Sequence, residues 1–343
     1  MAYTDIDDPS AYFQTLLYTG NGADDRALVN DGNSDLQPDW IWFKERNSTS
    51  VHQVLDSSRG VNKALSPNDN GADETYAYLS SFDSNGFTFD LSDGSTNENT
   101  NTFVAWQWKA NGGTTTTNDA SATGIGNTDS VYQANTTAGF SIVTFSGTGS
   151  GMTVAHGLGG TPTLIISKSR NDTENWAVHT TVIDGSLDYL RLSETDAAGN
   201  SGFSLPTSTV FGYNGSNNYV AYCFRSIQGY SKIGRYVGNG STDGTFAYTG
   251  FKPAWVLVKS VDVAQSWQLS DSARNPFNVV NRRLAPNDTS AESTVHSWID
   301  FLSNGFKIRI NDAAYNNNGQ KYLYIAFAEN PFCSSKGVPT TAR

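Results

Sequence analysis

The sequence is short of cysteine, of basic residues and of long apolar runs. Its 343 residues include two cysteines, Cys223 and Cys333. Two cysteines exclude a disulfide framework and favour buried free thiols. With 22 Lys and Arg against 33 Asp and Glu, the net charge is −11, and no basic cluster marks a nucleic-acid-binding surface. No apolar run approaches the roughly 20 residues that span a bilayer, so we expect no membrane insertion.

Signals of secretion, of long helices and of common enzyme sites are also missing. The first eight residues lack the basic and apolar regions of a signal peptide, so we expect a protein made in a cytoplasm. The chain contains no His-Glu-x-x-His, Cys-x-x-Cys, P-loop or Gly-x-Ser-x-Gly motif. The sequence therefore predicts no enzyme, with no catalytic residue, no cofactor and no metal ligand.

What the chain does contain is strands and turns. Hydrophobic residues make up 37% and aromatic residues 12% of the sequence, which is enough for globular cores. The 32 glycines punctuate short apolar runs. The dipeptide Asn-Gly, which supplies the positive φ of tight hairpin turns, recurs at 21–22, 85–86, 214–215, 239–240 and 304–305.

One segment appears three times. Its copies read PDWIWFK at 38–44, PTLIISK at 162–168 and PAWVLVK at 253–259. Each is a proline, an apolar run rich in strand-forming residues and a closing lysine. A repeat of this length predicts three copies of one folded unit, which is typical of scaffolds and binding modules.

The flanking sequence keeps the same register. The motif Asp-Ser-x-Arg occurs at 56–59 and 271–274, Pro-Asn at 67–68 and 286–287, and Ser-Asn-Gly-Phe at 84–87 and 303–306. Each copy closes on an aromatic strand, at 103–108, 219–224 and 324–328. The middle copy lacks the Pro-Asn and Ser-Asn-Gly-Phe motifs, so the first and third copies are the better-matched pair.

These patterns predict an all-β protein of three tandem β-sandwich, jelly-roll-like repeat domains joined by Gly/Thr/Asn-rich linkers. We place the first repeat at 1–110, a linker at 111–138, a degenerate second repeat at 139–228 and a third repeat at 229–332. A C-terminal tail follows at 333–343. The linker is assigned on its Thr, Asn, Gly and Ser content.

Tryptophans offer the strongest candidates for a contact surface. Trp40 with Trp42, and Trp106 with Trp108, share a strand face and form either a sugar platform or a core, and the area that an indole buries favours the core. Three further tryptophans lie near polar loops, where we expect more exposure. The predicted partner or ligand contacts are therefore Trp176, Trp267 and Trp298.

Other polar residues favour structural roles. His52 and His179 fall near the position where the third copy has Trp267, and a site that accepts an indole indicates packing rather than catalysis or metal binding. Asp56 with Arg59, and Asp271 with Arg274, predict loop-bracing ion pairs. The oxygen-rich segment 30–35 resembles a calcium loop but lacks its bidentate glutamate, which favours a solvated turn.

As a set, segments 3–22, 38–44, 82–87, 103–109 and 326–332, with the terminal 341–343, resemble a repeat family common in tailed phages that infect aquatic bacteria. Its members are virion-type proteins, often tail fibres. The resemblance covers nearly the whole chain and implies a structural, partner-binding role with no catalytic residues. It implies a place on the virion surface, at tail or head, after assembly in the host cytoplasm.

Three functions follow, in order of preference: a non-enzymatic tail fibre or receptor-binding appendage, a capsid decoration or head-fibre protein, and a polysaccharide-degrading tailspike. The expected partners are other virion proteins and a host cell-surface glycan or protein. Phage fibres commonly trimerise, so we also expect a homo-oligomer, with a trimer preferred, although the chain has no coiled-coil heptads to drive it.

Overall fold

The computed structural model describes residues 2–340, and it confirms the all-β prediction. Helical structure among these residues is confined to a 3-10 turn at Pro9–Ala11 and helix α1 at Ala120–Thr123. None of these described helices is long and apolar enough to cross a bilayer. The terminal segment 341–343, which contributes to the family resemblance, lies outside the described residues.

The first repeat forms a six-stranded antiparallel sheet covered by a three-stranded sheet. In the large sheet the order is β1-β9-β3-β4-β5-β6, and in the small sheet it is β2-β8-β7. The strands are β1 Phe13–Thr19, β2 Ala27–Val29, β3 Trp40–Glu45, β4 Gln53–Asp56, β5 Lys63–Leu65, β6 Glu74–Thr75, β7 Leu79–Asp83, β8 Gly86–Phe89 and β9 Thr102–Trp108.

The second repeat has the largest sheet and the smallest cover. Its eight-stranded sheet has the order β10-β11-β12-β19-β14-β15-β16-β17, and its small sheet has two strands, β13-β18. The strands are β10 Thr116–Asn118, β11 Ser130–Asn135, β12 Phe140–Ser146, β13 Gly149–Ala155, β14 Leu164–Ser169, β15 Ala177–Thr180, β16 Asp188–Arg191, β17 Gly199–Asn200, β18 Val210–Gly215 and β19 Asn218–Phe224.

The third repeat returns to the pattern of the first. A four-stranded sheet β20-β26-β22-β23 lies beside a three-stranded sheet β21-β25-β24. The strands are β20 Ser231–Val237, β21 Phe246–Tyr248, β22 Phe251–Ser260, β23 Gln268–Asp271, β24 Ile299–Leu302, β25 Gly305–Ile308 and β26 Lys321–Pro331.

The recurring lysine-ended motif occupies the same place in each repeat. Its copies lie in β3, β14 and β22, and each of these strands pairs with the closing strand on one side and with the next strand of the chain on the other. Successive side chains of a strand point to opposite faces. Because both faces are covered, the motif is apolar at nearly every position instead of alternating with polar residues.

One face of every large sheet contributes to a single hydrophobic cluster, which we call the shared core. It contains the indoles of all the paired tryptophans, as the core interpretation predicts. Trp40 lies 4.7 Å from Tyr222 of the second repeat, and Trp108 lies 5.7 Å from Trp255 of the third, measured between ring centroids. The ring centroids of Phe224 in the second repeat and Phe327 in the third lie 5.8 Å apart, so each repeat contacts both of the others.

The opposite face of each large sheet packs against its small sheet in a cluster of its own. Each repeat therefore has a private outer core and a part of the shared core. Ile41 and Phe43 lie in the outer cluster of the first repeat, while their neighbours Trp40 and Trp42 lie in the shared core.

The segment 111–138, which composition assigns to a linker, contains regular secondary structure. It forms β10, α1 and β11, and β11 pairs with β12 along its whole length. The Gln133 amide also donates to the hydroxyls of Ser57 and Ser58 at 2.7 Å each. Threonine, valine and tyrosine are good strand formers, so a composition rich in threonine does not by itself separate an edge strand from a linker.

The tail is tied to the beginning of the chain. Ser335 donates its backbone N–H to the Asp7 carboxylate at 2.6 Å, and Cys333 forms a β-bridge with Pro339. Both cysteines are free thiols, as predicted. Cys223 is fully buried, as expected, whereas Cys333 is only half-buried.

Candidate functional site

The three tryptophans predicted as contact residues are buried. Trp176 and Trp267 are 0% exposed and Trp298 is 6% exposed, so the expectation of exposure is wrong. Each indole N–H donates to a backbone carbonyl: Trp176 to Ser66 at 2.9 Å, Trp267 to Arg191 at 2.8 Å and Trp298 to Asn281 at 2.9 Å. Nearby polar loop residues misled the sequence argument, because these indoles point inward from the loops.

Trp176 and Trp267 belong to a ring of three equivalent positions, and the third is His52. Each residue immediately precedes the second strand of its motif pair, β4, β15 or β23, so Trp176, not His179, matches His52. The side chain of each of these three residues donates a hydrogen bond to a backbone carbonyl of another repeat. His52 accepts from the Trp42 indole at Nδ1 (2.9 Å) and therefore donates through Nε2 to the Ala285 carbonyl (3.1 Å).

The closing lysines of the motif form a second ring of contacts. Lys44, Lys168 and Lys259 are at most 1% exposed, and each ammonium donates to its neighbour's carbonyl and across to another repeat. Lys44 reaches the Thr289 carbonyl at 3.2 Å, Lys168 that of Asn70 at 3.2 Å and Lys259 that of Asp196 at 2.8 Å. Burial lowers the pKa of each lysine to about 8.

The Asp–Arg pairs join repeats as well as bracing loops. In the first repeat the Arg59 Nε lies 2.6 Å from the Asp56 carboxylate, and Asp73 lies 2.8 Å from the same guanidinium. The Tyr222 hydroxyl of the second repeat donates to Asp56 at 2.7 Å. All these groups are buried or nearly so, which makes the pair structural, as the sequence predicts.

The third repeat has an equivalent buried Asp–Arg pair, which contacts the first repeat. Arg274 pairs with Asp271 at 2.6 Å and with Glu292 at 2.9 Å. Asp271 accepts from the indole N–H of Trp106 at 3.0 Å, and Arg46 of the first repeat reaches Glu292 at 3.1 Å. These guanidinium groups hold the pKa of Glu292 below its usual value despite its burial.

The junction between the second and third repeats replaces this Asp–Arg pair and its partners with uncharged residues. By register, Thr180 stands where the other repeats have aspartate, Ile183 where they have arginine, and Ile325 where they have Tyr222 or Trp106. Val261 stands at the position of Arg46 and Arg170. Ile183, Val261 and Ile325 all join the shared core. The residues of the repeated motifs thus hold the three repeats together.

Buried histidines predict a loss of stability in acid. Burial lowers the pKa of His156 and His179 to about 4, whereas an unfolded histidine titrates near 6.5. Between these values the unfolded chain binds more protons, so stability falls as the pH falls, by up to about 3 kcal/mol for each histidine. Thermal unfolding at pH 6.5, 5.5 and 4.5 checks this, and the variant His179→Leu should show a shallower decline.

No group of three or more His, Cys, Asp or Glu side chains in residues 2–340 is placed to hold a metal ion. In the calcium-like segment the Asn30 amide donates to the Leu36 carbonyl at 3.1 Å and is paired with the Gln107 amide. Asn30 thus faces inward, and it braces the turn against β9.

The second repeat contains a cavity of about 220 Å³ that is open to the surface. Its walls come from the large sheet, from β18 and from the loop between β17 and β18. The lining includes His179, Tyr189, Phe203 and Tyr213, with Asn175 and Arg191 at the edge. We call it the ring cavity.

The ring cavity occurs where the small sheet has lost a strand. In the first and third repeats, a third strand, β7 or β24, precedes the Asn-Gly hairpin and covers the large sheet. The second repeat lacks that hairpin motif, and a loop carrying Phe203 replaces the strand. By register, His179 stands where the first repeat has Leu55 and the third has Ser270, and Leu55 is fully buried beneath that cover.

A larger depression of about 530 Å³ lies over β10–β12. Small polar residues such as Thr117, Ser130 and Thr144 dominate its lining, with Phe145 as its aromatic member. The ring cavity instead has the side-chain rings of His179, Tyr189, Phe203 and Tyr213 in its lining, so it is the better candidate site for a ligand with apolar faces.

Comparison with known proteins places the chain in one family. Neither the curated proteins nor the solved structures include a match. The model of the family described as "Domain of unknown function (DUF7483)" matches residues 8–331, a span that includes all three repeats, the shared core and the ring cavity. The chain therefore belongs to the DUF7483 family.

Proposed function

We propose that this protein is a non-enzymatic structural protein of a phage virion, a tail-associated fibre or receptor-binding appendage built from three β-sandwich units. One observation carries the proposal. Several residues recur at equivalent positions of the repeats, namely the lysines, the indoles and the Asp–Arg pairs. These residues form contacts between one repeat and another. Such a body suits a particle component that must keep its shape outside the cell.

Composition supports the same proposal. A net charge of −11 favours solubility of a protein displayed in water, and free thiols are compatible with assembly in a reducing host cytoplasm. The proposed partners are other virion proteins and a host cell-surface glycan or protein. The proposed homo-oligomer would form through outer surfaces, because the shared core is already filled by one chain's three repeats.

A capsid decoration protein is the second candidate, and the cyclic order of contacts favours it. The first repeat donates to the third through His52, the third to the second through Trp267, and the second to the first through Trp176. Three related faces around one axis could match a threefold position of a head lattice.

Immunogold labelling of purified virions with antibody against this chain tests both candidates. We expect gold at the tail if the protein is an appendage for host recognition. Gold scattered over the head would support decoration instead. Unlabelled particles, alongside labelled controls for a known virion protein, would overturn the virion proposal.

A further inference from the structure

The ring cavity has the chemistry of a small binding site. The Phe203 ring centroid lies 5.2 Å from His179 and 5.8 Å from Tyr213, and His179 lies 6.5 Å from Tyr189. Four rings thus surround a space of about 220 Å³. Binding sites for drug-sized ligands occupy roughly 300–1,000 Å³, so this space fits one small ring and not an extended ligand.

His179 places an imidazole ring at the wall of this space. Its side chain is 6% exposed and makes no hydrogen bond to any of the described residues, while its ring contacts are all aromatic. Burial alone lowers the pKa of this imidazole to about 4, so near neutral pH it is uncharged. A neutral imidazole has one N–H donor and one acceptor nitrogen, and both are available to a ligand in the cavity.

The charge at the cavity mouth is already balanced. Arg191 lies over the Tyr189 ring at 5.8 Å, and its guanidinium pairs with Asp196 at 2.7 Å. An anionic ligand would have to compete with that carboxylate. The site therefore favours an uncharged ligand that has apolar faces and hydroxyl groups.

We propose that the ring cavity binds a single uncharged saccharide ring, a terminal or branch residue of a surface glycan. The C–H face of a pyranose packs on Phe203 and Tyr213, since aromatic rings contribute large apolar contact areas. A sugar hydroxyl both donates and accepts, as the free imidazole nitrogens of His179 require. This inference rests on the proposed receptor-binding function, whose glycan partner it would define.

Saturation-transfer NMR with the full chain tests the proposal. The probes are the methyl glycosides of glucose, galactose and N-acetylglucosamine at millimolar concentration. We expect transfer to the ring protons of at least one probe, and at least a fivefold weaker signal for His179→Leu and for Phe203→Ala. Leucine is chosen because Leu55 fills the equivalent position in the first repeat. Tyr248→Ala, which removes a half-exposed ring from the third repeat, is the matched control and should bind normally.

Circular dichroism and the midpoint of thermal unfolding verify that each variant is folded. Absence of transfer from all three probes, or equal transfer in wild type and both cavity variants, would overturn the inference. The immunogold result separates it from the proposed function. If virions are labelled but no sugar binds, the glycan site is refuted and the virion proposal stands. If a sugar binds but virions are unlabelled, the protein binds glycans without being part of the virion.

Discussion

A polypeptide restricted to the third repeat, residues 229–332, is expected not to fold as a compact monomer. Alone, its large sheet would expose the face that carries Trp255, Leu257 and Phe327, all of which the intact protein buries in the shared core. Burying one such side chain contributes roughly 1.5–3 kcal/mol, and domain stabilities are commonly 5–15 kcal/mol. Losing several of these contacts removes the stability of the unit.

Amide NMR spectra and sedimentation velocity of this fragment check the prediction, with the full chain as the control. We expect poorly dispersed resonances or self-association through the exposed face. A monomer with a well-dispersed spectrum would contradict it, and would show that the outer core under β21, β24 and β25 suffices for folding. That outcome would restore the three independent domains that the sequence predicts.

Replacing Arg59 by alanine is expected to lower the free energy of unfolding by about 3–5 kcal/mol. The change leaves the buried Asp56 carboxylate and the Tyr222 hydroxyl without the guanidinium that compensates them. It also removes one partner of Asp73. Denaturant unfolding of wild type and variant measures the difference.

The junction that lacks an Asp–Arg pair provides a matched control. Combining Asp56→Thr and Arg59→Ile reproduces Thr180 and Ile183 of the second repeat, and Tyr222→Phe removes the remaining hydroxyl while keeping the ring. We expect this triple variant to be more stable than Arg59→Ala, because no uncompensated charge stays buried. Arg191→Ala, which breaks an exposed pair with Asp196, should cost at most about 1 kcal/mol. Equal losses in all three proteins would refute the argument.

Local patterns were sufficient to predict the strands and the repeat register. The motif copies at 38–44, 162–168 and 253–259 all lie in equivalent strands, because alternation of side chains across a sheet is a property of consecutive residues. The burial of Trp40 and Trp42 was predicted from the large apolar area of an indole. What alternation does not reveal is the partner of a buried face, so the sequence predicted three separate cores where the structure has one shared core and three outer ones.

Roles set by distant contacts were predicted poorly. Trp176 sits two residues after Glu174 and next to Asn175, which made it a surface candidate, yet its indole donates to Ser66, 110 residues away in the chain. Its place immediately before a strand, shared with His52 and Trp267, was the signal that marked it as a contact between repeats. The ring cavity had a signal too, since the missing Ser-Asn-Gly-Phe motif corresponds to the missing strand of the small sheet.

Linking three repeats in one chain changes what a single substitution can do. In a homotrimer of a one-repeat chain, every residue change would appear three times, so opening a cavity would weaken all three copies together. Here the small sheets of the first and third repeats each have three strands over the large sheet. The small sheet of the second repeat has two strands, and the ring cavity lies where the third strand is missing. The free-energy cost of the ring cavity is thus incurred once per chain, and a mutation in the cavity can alter its surface while the first and third repeats keep their packing.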